Sequence, residues 1–328
     1  MVGRKLEVQE FGSQGRQIPA ILACLLLLSL PVPGLAAAPG WKPLLEPDEL
    51  AEVLLRSSGI LIIRVTGNYN RGHIPGSLES PYADWRGVGR NPGQLRSLGE
   101  YTTLLQQLGI TAGTPVVVVH QGSDPADMGA ATRVYWTLKT LGVREVAVLN
   151  GGYQAWRAAE LPVSTEKEFA HTSEYQPVLL DDWRVTTEVV EELVQSGDGA
   201  LIDARPVSFY RGFRATVGKP GTIRAAENIP YENWFDGDRL SSSASLREVM
   251  DSFGEQDATI TVSFCNTGHW ASINWFVMSE LLQFDNVRLY AESIAEWGEQ
   301  ERPMDNQVGR LRVYRDLTSR WFNGFIAN

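Results

Sequence analysis

The chain carries the same unit twice, and this duplication constrains its fold more than any other feature. Gly72-His73-Ile74-Pro75-Gly76-Ser77, followed by Pro81-Tyr82 and Trp85, returns without a gap as Gly221-Thr222-Ile223-Arg224-Ala225-Ala226, followed by Pro230-Tyr231 and Trp234. Upstream, Leu61-Ile62-Ile63-Arg64-Val65 is paired with Leu201-Ile202-Asp203-Ala204-Arg205. Downstream, the stretch from Val146 to Trp156 is paired with that from Val287 to Trp297. A nine-residue stretch, 213–221, accounts for most of the change in spacing. Copies this far apart mean duplicated domains rather than a short-repeat solenoid. The 328 residues suffice for two such domains.

Each copy alternates strand-like and helix-like segments. In the first, 60–65 reads as a strand, 101–108 as a helix, and 116–120 as a β-branched run of the kind found in buried parallel strands. A helix over 129–141, stopped by Gly142, and a strand over 146–149 follow. In the second copy a helix over 186–195 opens on the capping signal Thr186-Thr187-Glu188. After it come a strand over 200–203, a helix over 245–253, a strand over 259–264, a helix over 271–282 and a strand over 287–290. This alternation predicts an α/β fold of two tandem domains, each a parallel sheet covered by helices on both faces. The domains are expected at 42–164 and 181–306, with a polar, Pro-broken linker at 165–180 and a tail at 307–328. The tail sets Leu311, Tyr314, Leu317 and Trp321 among arginines and is expected to pack on its own domain.

Residues 1–36 read as an export signal. Arg4, Lys5 and Arg16 precede an apolar run over 18–30, Pro31 and Pro33 end it, and Gly34-Leu35-Ala36 supplies small residues for cleavage after Ala36. The run is too short to span a bilayer comfortably. The mature protein is therefore expected in the periplasm or otherwise exported, as a monomer. Of the two cysteines, Cys24 falls in that segment, so Cys265 has no internal disulfide partner. This excludes a dithiol oxidoreductase. The net charge of −10 argues against nucleic acid or an anionic membrane as a general partner.

Cys265 ends one strand-like run and opens the loop Asn266-Thr267-Gly268-His269-Trp270 ahead of a helical pattern. In parallel sheets functional groups collect at the carboxyl ends of strands. A thiol there faces backbone N–H groups and a helix N-terminus, a setting that favours the thiolate. The competing interpretation is an inert buried cysteine, which is common in cores. A core cysteine would rarely precede Asn-Thr-Gly-His at a helix start. Counting back from Trp156 and Trp297 sets Asp124 opposite Cys265, and the upstream pairing sets Ile63 and Val65 opposite Asp203 and Arg205. The first copy has then lost the reactive set and is expected to cover the second copy's site.

These residues carry a resemblance. Gly72-His73-Ile74-Pro75-Gly76, Asn150-Gly151-Gly152-Tyr153-Gln154-Ala155-Trp156, Asp203-Ala204-Arg205, the Cys265–Trp270 loop and Glu292-Ser293-Ile294-Ala295-Glu296-Trp297-Gly298 stand in order. Together they make the chain similar to tandem-domain rhodanese sulfurtransferases over nearly all of its mature length. The resemblance implies an inactive first domain before an active second one, with no cofactor and no metal. It implies a two-step cycle in which Cys265 takes the sulfane sulfur of a small anionic donor as a persulfide. A thiol, cyanide or an acceptor protein then removes that sulfur. The loop residues Asn266, Thr267, Gly268, His269 and Trp270 would hold the persulfide, and Gly268 permits the turn.

Arg205, Arg211, Arg214, Lys219 and Arg224 fall in a stretch free of Asp and Glu, which suits an anionic donor. The resemblance sets Arg205 beside the sulfur site as the donor's binding residue, with Arg224 a second candidate. Arg211, Arg214 and Lys219 read as a solvated face, and Asp203 as a supporting hydrogen-bond acceptor. His269 either carries a positive charge and a transferable proton or merely packs at the rim. Trp270 is expected to form a pocket wall. A cysteine phosphatase of related fold would need an arginine where Ala271 stands, so that activity is rejected. Thiosulfate is the preferred donor, 3-mercaptopyruvate the alternative, and a non-turnover persulfide carrier the rival of another class.

Overall fold

The computed structural model describes residues 40–253 and 258–307, together with Met1 and Gly3. The predicted signal segment, with Cys24, otherwise lies outside the described residues, as does the predicted tail beyond 307.

In the first domain β1 (Leu44–Leu45) and α1 (Pro47–Arg56) lead to β2 (Leu61–Arg64), β3 (Leu78–Glu79), α2 (Leu98–Gln107) and β4 (Val116–Val119). Then come α3 (Met128–Thr140), β5 (Val146–Leu149) and α4 (Gly152–Ala158). The five strands form one fully parallel sheet in the order β1-β5-β4-β2-β3.

The second domain opens with α5 (Thr187–Ser196), β6 (Gly199–Asp203), α6 (Val207–Tyr210), β7 (Thr222–Ile223) and β8 (Glu227–Asn228). Next are β9 (Phe235–Asp236), β10 (Arg239–Leu240), α7 (Ser243–Asp251), β11 (Ile260–Phe264) and α8 (Trp270–Trp275). The domain closes with β12 (Val287–Leu289), α9 (Ser293–Glu299) and β13 (Met304–Asp305). Its main sheet, β12-β11-β6-β8, is again parallel, while β7 pairs with β13 and β9 with β10 in antiparallel fashion. The short pairs carry too little pattern to be read from sequence.

Burial on both faces explains the parallel sheets. The four valines of β4 are all buried, Val117 and Val119 in one apolar cluster and Val116 and Val118 in another. Neighbouring side chains of a strand point to opposite faces, so each face has its own core. In the second domain Leu201, Val262 and Phe264 fill one face and Ala200 and Ile202 the other. The inner cluster is common to both domains and runs through α3 and α8. There Thr132 Oγ1 lies 2.8 Å from Ser272 Oγ, and Lys139 Nζ pairs with Glu280 at 2.9 Å. The segment predicted as one helix over 271–282 is α8 continued by a π-helical turn, Phe276–Leu281. The turn's first residue, Phe276, packs edge-on against Tyr135, whose ring also lies near Trp275.

Backbone register corrects two of the predicted correspondences. Ser80 N donates to Arg64 O and Tyr82 N to Val65 O; their counterparts Ile229 N and Tyr231 N donate to Asp203 O and Ala204 O. Arg64 therefore stands opposite Asp203, and Thr66 opposite Arg205. Likewise Tyr153 N donates to His120 O as Ile294 N donates to Cys265 O. The residue in the place of Cys265 is His120, not Asp124. The first copy has a longer loop between β4 and α3, so counting back from the helix lands inside the insertion. Loops accept such extra length at small entropic cost.

Candidate active site

Cys265 is the first residue beyond β11, and its backbone is braced from the neighbouring strand–helix turn. Its N–H donates to Ser293 Oγ at 3.1 Å, and Ser293 Oγ donates in turn to Tyr290 O at 2.7 Å. Ser293 holds φ at +55°, a left-handed value that a side chain adopts at a cost of about 1–3 kcal/mol. The matching residue of the first copy is Gly152, at φ +60°. The second copy thus accepts strain at this turn and gains a hydroxyl that fixes the cysteine backbone.

The thiol is only 1% exposed, yet it lines a pocket of about 280 Å³. Asn266, Thr267, His269 and Trp270 form the loop side, Thr216 and Val217 one wall, and Tyr82 and Arg86 of the first domain the other. Among the described residues, the N–H groups of Asn266, Thr267, Gly268 and His269 have no hydrogen-bond partner. Gly268 has φ +70°, and a β-carbon there would lie 2.4 Å from Arg133 Nη1 and 2.6 Å from Ala291 O. Only glycine fits between those groups. Trp270 is a wall, stacked on Tyr231 at 5.2 Å and edge-on to Phe209 at 5.8 Å.

The first domain braces this loop directly. Arg86 Nη2 donates to Thr267 O at 2.6 Å, Nη1 to Tyr82 Oη at 3.0 Å and Nε to Pro92 O at 2.8 Å. Tyr82 Oη lies 2.9 Å from His269 Nδ1. Asn91 Nδ2 donates to Glu292 O at 2.9 Å, and the buried Arg133 donates through Nη2 to Gly93 O at 2.7 Å. Arg133 Nη1, against Gly268, has no partner among the described residues.

Arg205 is placed otherwise than expected, and one of the two alternatives for His269 is favoured. Burial pushes His269 down to about 4, reinforced by the positive charge of Arg86, so the ring is neutral at physiological pH. Of the two alternatives for His269, this favours packing and hydrogen bonding over a carried charge. Tyr82 then donates to a neutral ring, and His269 anchors the loop. Arg205 does not reach the donor pocket. It is 1% exposed and bound to Asp203 through Nε (2.9 Å) and Nη2 (2.6 Å), with Nη2 also donating to Gly221 O at 2.6 Å. Its Nη1 donates to Asn266 Oδ1 at 3.3 Å. In the copy without a nucleophile, Arg64 donates to Gly72 O at 2.9 Å and also reaches Gln121, the counterpart of Asn266. Arg64 stands two positions before the counterpart of Arg205 yet reaches the matching carbonyl, so an arginine at this place belongs to the fold. Asp203 holds this contact, accepting also from Thr222 Oγ1 at 2.8 Å. Arg224 is largely exposed, faces Asp305 at 4.0 Å and does not line the pocket.

Sequence reasoning missed Arg86, Tyr82, Thr216, Val217 and Ser293. The repeat itself held the signals. Arg86 follows the matched Trp85 where the second copy has Phe235, Thr216 and Val217 lie in the insertion, and Ser293 replaces a glycine.

The equivalent place in the first domain holds a buried histidine. The buried His120 has Nδ1 3.3 Å from Asp127 Oδ2, which also accepts from Gly122 N at 2.7 Å. Burial alone would raise Asp127, but His120, Thr66 and Gly122 outweigh it and hold the carboxyl well below its usual range. An internal carboxylate thus takes up N–H groups of this loop. A second pocket of about 280 Å³, between Tyr69, Glu79, Leu104 and Phe169, is lined by no cysteine.

Comparison with known proteins agrees with the duplication. The model of the Rhodanese-like domain matches residues 46–159 and 186–300. A putative thiosulfate sulfurtransferase of Synechococcus elongatus is 27% identical over 89% of this chain and 98% of its own length. A sulfur carrier protein, TtuD, of Thermus thermophilus is 30% identical, covering 70% of this chain and 84% of its own. A thiosulfate sulfurtransferase of Corynebacterium glutamicum is 30% identical over 71% and 79%. Among solved structures, the 3-mercaptopyruvate sulfurtransferase SseA of Escherichia coli superposes with TM-score 0.68 at 20% identity, covering 77% of this chain and 98% of that one. The anaerobic ergothioneine biosynthesis enzyme of Chlorobium limicola, bound to trimethyl histidine, gives 0.70 at 22% identity, covering 81% and 71%.

Proposed function

The chain belongs to the Rhodanese-like domain family as a tandem-domain sulfurtransferase, and from that premise we propose that it moves the sulfane sulfur of thiosulfate to a thiophilic acceptor through a persulfide on Cys265. The observation that carries the proposal is the placement of Cys265. It stands at a strand's carboxyl end, open to a pocket whose loop N–H groups have no other partner among the described residues.

In the first step the Cys265 thiolate attacks the outer sulfur of thiosulfate. The new bond joins Sγ to that sulfur, the sulfur–sulfur bond of the donor breaks, and its electron pair leaves with sulfite. The terminal sulfur of the persulfide keeps a negative charge, which the N–H groups of Asn266 to His269 are free to meet. In the second step cyanide or a thiolate attacks the terminal sulfur and regenerates the Cys265 thiolate. Neutral His269 and buried Arg205 hold the loop in place and transfer no proton in either step.

A persulfide carrier for a partner protein is the second interpretation, favoured by the similarity to a sulfur carrier protein. Saturable thiocyanate formation from thiosulfate and cyanide, lost in Cys265→Ser, supports the enzyme. Loading of one sulfur per chain without turnover supports the carrier instead. The same proposal includes export with cleavage after Ala36, which N-terminal sequencing of the mature chain checks.

A further inference from the structure

Leaving Cys265 aside, one side chain among the described residues lining the pocket is charged at neutral pH, and it comes from the first domain. His269 is neutral, and Tyr82, Thr216, Val217, Asn266, Thr267 and Trp270 carry no charge, so the fixed charge is that of Arg86. Arg205, the residue expected to meet the donor, has its charge matched by Asp203 and its donors directed into the protein. Arg86 differs on both counts. Among the described residues it has no ion-pair partner, and its three hydrogen bonds occupy Nε, one N–H of Nη1 and one of Nη2. A guanidinium has five N–H groups, so one remains on each terminal nitrogen. Both terminal nitrogens thus keep a donor for the oxygens of an oxyanion.

The rest of the geometry keeps Arg86 at this task. Its bond to Thr267 O ties the guanidinium to the loop that follows Cys265, and it lies over the ring of Tyr82 at 5.1 Å. The matching residue of the second copy is Phe235, so the arginine is not demanded by the repeated fold. In a chain of net charge −10, a local positive charge at the pocket is what an anionic donor needs.

We propose that Arg86 is the donor-binding residue: it holds the oxyanion end of the sulfur donor while Cys265 attacks the sulfane sulfur, and so selects donors that carry such a group. This rests on the sulfurtransferase function proposed above. With thiosulfate, the group held is the sulfonate that departs as sulfite, so the charge Arg86 faces is present before and after the sulfur–sulfur bond breaks. No outside oxidant or reductant enters the step.

The test uses the full chain and two thiol reagents of similar size, the anion iodoacetate and the neutral iodoacetamide, on wild type, Arg86→Gln and Arg86→Lys. Glutamine keeps an N–H donor for Thr267 O and removes the charge. The ratio of iodoacetate to iodoacetamide rates at Cys265 is expected to fall about ten- to a hundredfold in Arg86→Gln, the range of a charge-assisted hydrogen bond. Arg86→Lys is expected to recover part of it. The KM for thiosulfate should rise in Arg86→Gln by more than kcat falls. An unchanged ratio, with both reagents slowed equally, would overturn the proposal and leave Arg86 as a brace for the loop. If wild type does not use thiosulfate, the donor assignment fails, while the alkylation ratio still decides the role of Arg86.

Discussion

At the scale of single residues, the site is organised around the backbone of Cys265 as much as around its thiol. Ser293 keeps a strained left-handed conformation in order to accept the Cys265 N–H. Ser293→Gly should relieve that strain while releasing the bond, so the two effects on stability oppose each other. We expect an unfolding midpoint close to wild type and a turnover lower by roughly ten- to a hundredfold, the scale of a small misplacement at a reacting centre. Unchanged turnover would remove Ser293 from the site.

His269 yields a pH prediction. Its folded pKa of about 4 lies below the ordinary 6.5, so between those values the unfolded chain binds the extra proton. Stability contributed by the neutral ring is complete above pH 6.5 and declines as pH falls toward 4. Unfolding midpoints measured across that window should fall more steeply for wild type than for His269→Gln. The pH profile of sulfur transfer should show no inflection near 6.5 that His269→Gln removes.

At the scale of elements, the buried pair of Asp203 and Arg205 ties the end of β6 to Gly221 and to Asn266. Removing the carboxylate leaves a buried guanidinium without its partner, a loss of about 3–5 kcal/mol. Asp203→Ala should show it in denaturant unfolding, and Asp203→Ala with Arg205→Met should recover a substantial part.

Much of this architecture was legible in the sequence because strands such as β4 are apolar throughout and α5 begins where Thr186-Thr187-Glu188 signals a helix start. The cap of Ser97 with Glu100 went unread, and the predicted start of α2 falls late. The Cys265 loop was legible for the same local reason: it follows a strand, contains glycine and precedes a helical pattern. Arg86 and Tyr82 were not, since their part in the site depends on how one copy packs against the other. Arg205 misled because the same residue type serves a buried tie and an anion site, and only burial separates them. The pairing of Asp124 with Cys265 failed because a loop insertion preserves the helix match on one side and the strand match on the other.

At the scale of the whole molecule, duplication has divided the work. The first domain keeps the sheet and the strand-end loop, but His120 stands in the nucleophile's place and Asp127 takes N–H groups of that loop. It contributes to the second domain's pocket instead, through Tyr82 and Arg86, and shares a continuous inner core with it. His120→Asn should therefore change sulfur transfer by no more than about threefold, while Arg86→Gln changes it far more, as a comparison of kcat/KM for the two variants would show. A loss at His120 as large as at Cys265 would mean that the first domain takes part in the chemistry.

The central claim is that Cys265 carries the transferred sulfur. Intact-mass measurement after incubation with thiosulfate tests it most directly. The account predicts one added sulfur per chain on wild type, removed by cyanide with formation of thiocyanate, and none on Cys265→Ser. A wild-type chain that gains no sulfur, or a Cys265→Ser chain that still gains one, would contradict it.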